Sequence, residues 1–192
     1  LRLASAASCT VFASALATVF VHDRPFAFDV RYDPQVLDVP HLQATLAVPA
    51  QLPLEDSKAG ATFGNIFKQP AVCTVHRVGL SGVVSDATLN EAAKQHAVQL
   101  GQRPKNASAI GKVRVASRNG RNVASARYSF PTGLHMQRAF VTTRHADFFV
   151  ECLTWPQFSA YADAALDIAA SIASRPAPAP TGLSRPSFDA LS

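Results

Sequence analysis

At 192 residues the chain has room for one ordinary domain and its tails, and two full domains are not expected. With 48% hydrophobic and only 16% charged residues it carries enough apolar surface to offset the entropy of ordering, which excludes a wholly disordered, fibrous or low-complexity protein. Eighteen Lys and Arg against 13 Asp and Glu leave a net charge of +5, a bias toward acidic partners that falls short of the dense basic stripe of a nucleic-acid binder.

Leu3 to Val21 is an uncharged run rich in Ala, Ser and Thr. Three readings stay open for it: a targeting segment ending at the small-x-small triplet Ala15-Leu16-Ala17, a retained segment that packs on protein, or a membrane anchor. From Arg24 to Pro40, three prolines (Pro25, Pro34, Pro40) break any helix, while Phe26, Phe28, Val30 and Tyr32 alternate with polar or small residues. Residues 1–41 therefore read as an N-terminal extension ending in an extended aromatic arm, with residues 42–175 as the domain.

Within the domain, Gln43–Val48 and Ala71–Val78 alternate as strands. A helix follows, with Thr88 and Glu91 at capping-box spacing, Leu89, Ala92, Ala93, His96 and Leu100 on its buried side, and Gly101 at its end. Lys112–Ser117 and Asn122–Phe130 alternate on either side of Asn119-Gly120, the pair that suits a type I′ hairpin. Pro131–Gly133 and Arg144–Asp147 turn the chain into two further strands, Leu134–Thr143 and Phe148–Leu153, completing a four-strand antiparallel meander. Thr154 is placed to cap a closing helix that runs to about Ser174, with Phe158, Tyr161, Ala165, Ile168 and Ile172 as its apolar stripe. The Pro-rich residues 176–192 read as a tail. Runs of antiparallel strands with two helices make the fold class α+β, an antiparallel sheet flanked by helices, and not a parallel nucleotide-binding sheet.

Candidate chemistry is sparse. Cys9, Cys73 and Cys152 are too few for a disulfide framework or a zinc site, so buried free thiols are the default. In an oxidising compartment Cys73 and Cys152 can pair, since both fall on strands of one sheet. His135, His145 and Asp147 carry ligand chemistry at a generic spacing; His76 and His96 read as packed or edge residues. Ser81 lacks the Gly-x-Ser-x-Gly elbow, and neither a GK[ST] nor a G-x-G-x-x-G phosphate loop occurs. No catalytic, metal or cofactor set is assigned, and neither nucleic acid nor a small-molecule substrate is expected.

The blocks Leu42–Leu52 (LQATLAVPAQL), Ala71–Val78 (AVCTVHRV), Ser85–Leu100 (SDATLNEAAKQHAVQL) and His135–Thr154 (HMQRAFVTTRHADFFVECLT) resemble the PsbP family, whose fold is shared with Ran-GTPase-binding and bacterial lipoprotein relatives. The resemblance spans about Leu42 to Ser174 and is that of a divergent member. It implies an αβα sandwich without catalysis: an extrinsic subunit of a membrane-bound energy-converting complex, a photosystem, in or at the thylakoid lumen. Its partners would be protein subunits, through which it would associate with the membrane. A soluble regulatory module of the GTPase-binding type, or a structural subunit of a mitochondrial or cytoskeletal assembly, is the alternative. Phe26, Phe28 and Tyr32 on the arm and Arg114, Arg127 and Arg138 on the strands are the candidate partner-binding residues.

Overall fold

The computed structural model describes residues 33–56, 60–79 and 86–176. Leu3–Val21, the aromatics Phe26, Phe28 and Tyr32, Ser81 and residues 177–192 lie outside that set. Among the described residues no helix is long and apolar enough to cross a membrane.

The chain opens with strand β1 (Pro34–Val39), which folds back through a 3-10 turn at Pro40–Leu42 onto β2 (Ala44–Pro49). The register runs from Pro34 against Pro49 to Val39 against Ala44, and Gln43 takes a left-handed φ of 50° to close the turn. Pro34–Val39, read from sequence as part of the arm, are thus a strand of a sheet. The central sheet contains β3 (Leu54–Asp56), β4 (Ala61–Phe63), β5 (Ala71–Gly79), β6 (Ser108–Ala109), β7 (Arg114–Arg118), β8 (Arg121–Ser129), β9 (His135–Thr142) and β10 (Asp147–Thr154). Its spatial order is β3-β4-β5-β10-β9-β8-β6, and β7 also pairs with β8. All its pairings are antiparallel, and β7 to β10 form the expected meander. Arg118 faces Arg121 across the hairpin, and Asn119 and Gly120 have φ of 50° and 71°, the two left-handed residues that a type I′ turn requires.

Helix α1 (Asp86–Leu100) covers one face of this sheet, where Ala124, Ala126, Tyr128, Met136 and Phe140 pack with Leu100. Because it begins at Asp86, Thr88 lies inside its first turn and not at the cap. His96 fits its expected packed role: it is buried, stacked on Phe140 with ring centroids 3.6 Å apart, and its Nε2 lies 2.8 Å from Thr142 Oγ1.

Helix α2 (Ala164–Ser171) covers the other face. The expected long helix from Thr154 is corrected here. Thr154 belongs to β10, and its hydroxyl donates to the Pro70 carbonyl at 3.0 Å. The chain then winds through tight turns, Phe158 N to Trp155 O and Tyr161 N to Phe158 O, before α2 begins. It also stops early: Ala173–Ser174 form strand β11 against β2, so pairing to a second sheet overrides helical continuation. The apolar stripe survives this change, because tight turns and helix share a near-threefold repeat. Tyr161, Ala165, Ile168 and Ile172 are buried and Phe158 packs against them. With the small sheet β1-β2-β11 outside α2, the α+β class and helix-flanked antiparallel sheet expected from sequence are both present.

Cys73 on β5 and Cys152 on β10 stand directly opposite each other and form a disulfide in the α2-side core. It closes a sequence separation of 79 residues, removing conformations from the unfolded chain. Replacing both cysteines by Ala is expected to lower stability by about 2–4 kcal/mol, read as a lower urea midpoint; an unchanged midpoint would contradict the bond.

Acidification tests the packing of His96. Burial lowers its pKa below the ordinary 6.5, with the charge of Asp147 opposing. The folded protein therefore takes up this proton later than the unfolded chain, and the His96 contribution is lost as pH falls below 6.5 toward the lower folded value. Melting temperature measured against pH should fall less steeply in this limb for His96→Gln than for the parent; parallel curves would count against it.

A candidate basic cleft

The site starts from an irregularity in one strand pair. Ala109 on β6 faces Tyr128, and Arg114 on β7 faces Ser125, both across to β8. Residues 110–113 on one side thus match only Ala126 and Arg127 on the other, a wide bulge that lifts the chain away from the sheet. Gly111 takes a φ of 75° there, a backbone that favours glycine, and the Ile110 amide holds the loop by donating to the Arg127 carbonyl at 2.8 Å.

The bulge opens a cleft of about 340 Å³ between β7, β8 and the start of α2. Its lining includes four cations, Lys112, Arg114, Arg118 and Arg127, and one carboxylate, Asp163. Arg114 and Arg127 come together because Arg114 pairs with Ser125, two residues from Arg127 along β8, and alternate strand residues share a face. Lys112 and Arg114 are exposed and make no ion pair among the described residues. A smaller hollow of about 180 Å³ on the α1 side of the bulge also reaches Lys112 and adds Arg103.

Asp163 and Gln137 organise the inner wall. The Arg127 guanidinium donates to Asp163 Oδ1, and Gln137 Nε2 donates to the same oxygen at 3.2 Å. The Oε1 of Gln137, a buried side chain, accepts from the amides of Ala165 and Leu166 at 3.1 and 3.4 Å. It caps the first turn of α2 from outside the helix, since Asp163 at the N-cap position makes no side-chain cap hydrogen bond. Arg118 bridges loosely to Asp163 at 3.8 Å and Asp167 at 3.4 Å. Burial raises the Asp167 carboxyl above its ordinary value, Arg118 opposes this and Asp163 adds to it. The arrangement suits binding of an anionic group by guanidinium and ammonium donors.

Of the sequence candidates, Arg114 and Arg127 meet in this cleft. Arg138 lies on the opposite face, beside Ala126. There it donates to Glu151 at 2.8 Å and its guanidinium carbon lies 5.7 Å from the ring centroids of both Tyr128 and Phe149. His135 and Asp147 sit at opposite ends of the β9–β10 ladder, seven positions apart along it, too far to share an ion. Among the described residues no group of three His, Cys, Asp or Glu is placed to hold a metal. The sequence reading missed Lys112, Arg118, Gln137 and Asp163 as site residues. Gly111 beside a strand start is a local sign of the bulge, whereas nothing local announces that Asp163 meets Arg127.

No family model and no curated protein matches the chain. Solved structures do. Cyanobacterial PsbP from Synechocystis sp. PCC 6803 is similar at 10% identity and a TM-score of 0.49, over 78% of this chain and 97% of that one. LpqN, involved in cell envelope biogenesis of Mycobacterium tuberculosis, is similar at 16% identity and a TM-score of 0.41, over 76% and 86%. A structure from Bacteroides thetaiotaomicron VPI-5482 matches at 12% identity and a TM-score of 0.45, over 69% of this chain and 45% of its own length. Likeness at such identities concerns fold and does not carry a site across.

Gln137→Leu is expected to destabilise the domain by about 1–3 kcal/mol by leaving the first-turn amides of α2 without their acceptor. Urea unfolding measures this, and a cost near zero would show that Gln137 does not hold the helix start.

Proposed function

We propose that this chain is a non-catalytic docking subunit of a larger protein assembly and that it seats an acidic segment of a partner in the cleft formed by Lys112, Arg114, Arg118 and Arg127. The observation that carries this reading is the convergence of those cations around a single lining carboxylate, with Lys112 and Arg114 exposed and unpaired among the described residues. Such charges on a cleft rim set the orientation and rate of encounter more than they add affinity.

In its finer form the assembly is a membrane-bound energy-converting complex of the photosystem type, at the thylakoid lumen. The support for this is the resemblance of the four sequence blocks to the PsbP family. The Cys73–Cys152 disulfide is compatible with it, because such bonds persist in oxidising compartments and are rare in the cytosol.

The test is co-purification of the native chain with its companions across a salt series, beside the double variant Lys112→Glu, Arg114→Glu. Retention should fall with rising salt as exposed pairs are screened, and the double variant should bind about tenfold or more weakly. Binding indifferent to both salt and charge reversal would contradict docking through this cleft.

A further inference from the structure

Strand β7 is an edge: among the described residues Arg114–Arg118 pair with β8 alone. Its outer row of amides and carbonyls is therefore available to a further strand. The side chains along it alternate. Arg114, Ala116 and Arg118 share the α2 side, where Ala116 packs against the core and both arginines line the cleft. Val115 pairs with Ala124 on the α1 side and is 40% exposed.

Charge on an edge strand ordinarily guards against pairing. Here both charged side chains on the cleft side carry one sign, so a second copy of β7 laid alongside would be repelled, while a strand with carboxylates opposite Arg114 and Arg118 would be attracted. The cleft already holds one carboxylate, that of Asp163 between Arg127 and Gln137. Among the described residues Arg118 is tied by two long, half-exposed contacts, of a kind that contributes little and is readily exchanged.

We propose that the occupant of this edge is an extended acidic segment of a partner protein, added to β7 as a new strand. Its Asp or Glu residues stand against Arg114 and Arg118, about 13 Å apart at ~3.3 Å per residue. A small residue faces Ala116 between them and an apolar one lies beside Val115. This rests on the docking reading above and adds to it the backbone pairing and the spacing of the acids.

The probe is the peptide acetyl-Val-Glu-Val-Ala-Val-Glu-Val-amide, together with a version N-methylated at alternate residues, each titrated into the full chain and followed by amide NMR. The expected result is slowed exchange within Arg114–Arg118 and a loss of about tenfold or more in affinity on N-methylation, which removes strand hydrogen bonds, or with Arg114→Glu. Should Arg114→Glu fail to fold, Arg114→Gln replaces it. Equal binding of the N-methylated peptide, without slowed exchange on β7, would overturn strand addition; a loss with Arg114→Glu in that case would keep the docking reading. If the parent does not bind the peptide and Arg114→Glu self-associates, the edge charges serve only to prevent pairing and strand addition falls. If, in addition, native companions ignore the charge reversal, both readings fall.

Discussion

The structure depends on a short helix being held from two sides. Ala164–Ser171 lies between the central sheet and the small sheet β1-β2-β11, and its buried Ala164, Ala165, Ala169 and Ala170 let backbones approach where larger residues would hold them apart. Ile168 and Ile172 fill the remaining space, each full burial contributing about 1.5–3 kcal/mol. Polar contacts fix the rest: the Ser171 hydroxyl accepts from the Ala47 amide at 2.8 Å, and Arg175 N donates to the Gln43 carbonyl at 2.7 Å. Once the far end of the helix is pinned to β2, its near end has one place to go, over Gln137 and Arg127.

That placement separates stability from binding. The apolar core and the disulfide hold the domain together, while the ion pairs at the cleft are partly exposed and contribute little. On the docking reading, charges at the rim are thus free to be shaped by a partner. The bulge at residues 110–113 supplies the depth that a flat sheet edge lacks, and Asp163 limits the positive charge of the inner wall while Lys112 and Arg114 leave the outer wall basic. Arg138 illustrates the opposite case. It is similar in composition and spacing to its neighbours, yet one step along the strand turns it to the other face, between two aromatic rings and Glu151.

Much of the fold was legible because period-two alternation and Asn-Gly turn chemistry act locally. The strands around Asn119-Gly120, the β5 and β10 segments and the stripe from Phe158 to Ile172 all follow from near neighbours in sequence. The errors came where distant pairing decided the outcome. The closing helix is shorter at both ends than its apolar spacing predicts because Thr154 is claimed by β10 and Ala173–Ser174 by β2, neither of which alters the helical spacing of the apolar residues. Pro34–Val39 read as arm because the strand that pairs with it is recognised only once the turn at Gln43 is closed. At the site, the strand cations Arg114, Arg127 and Arg138 were visible, but their division between two faces depends on register, and Asp163 lies 36 residues from Arg127.

The central claim is that a partner's acidic segment lies against the outer wall of this cleft, and contact-range crosslinking tests it most directly. A carbodiimide joins an amine to a carboxylate only where the two already touch. Applied to the native assembly, it should link Lys112 to an Asp or Glu of a companion chain. Links to companions from Lys68 and Lys94, with Lys112 left unmodified, would place the partner elsewhere and contradict the account.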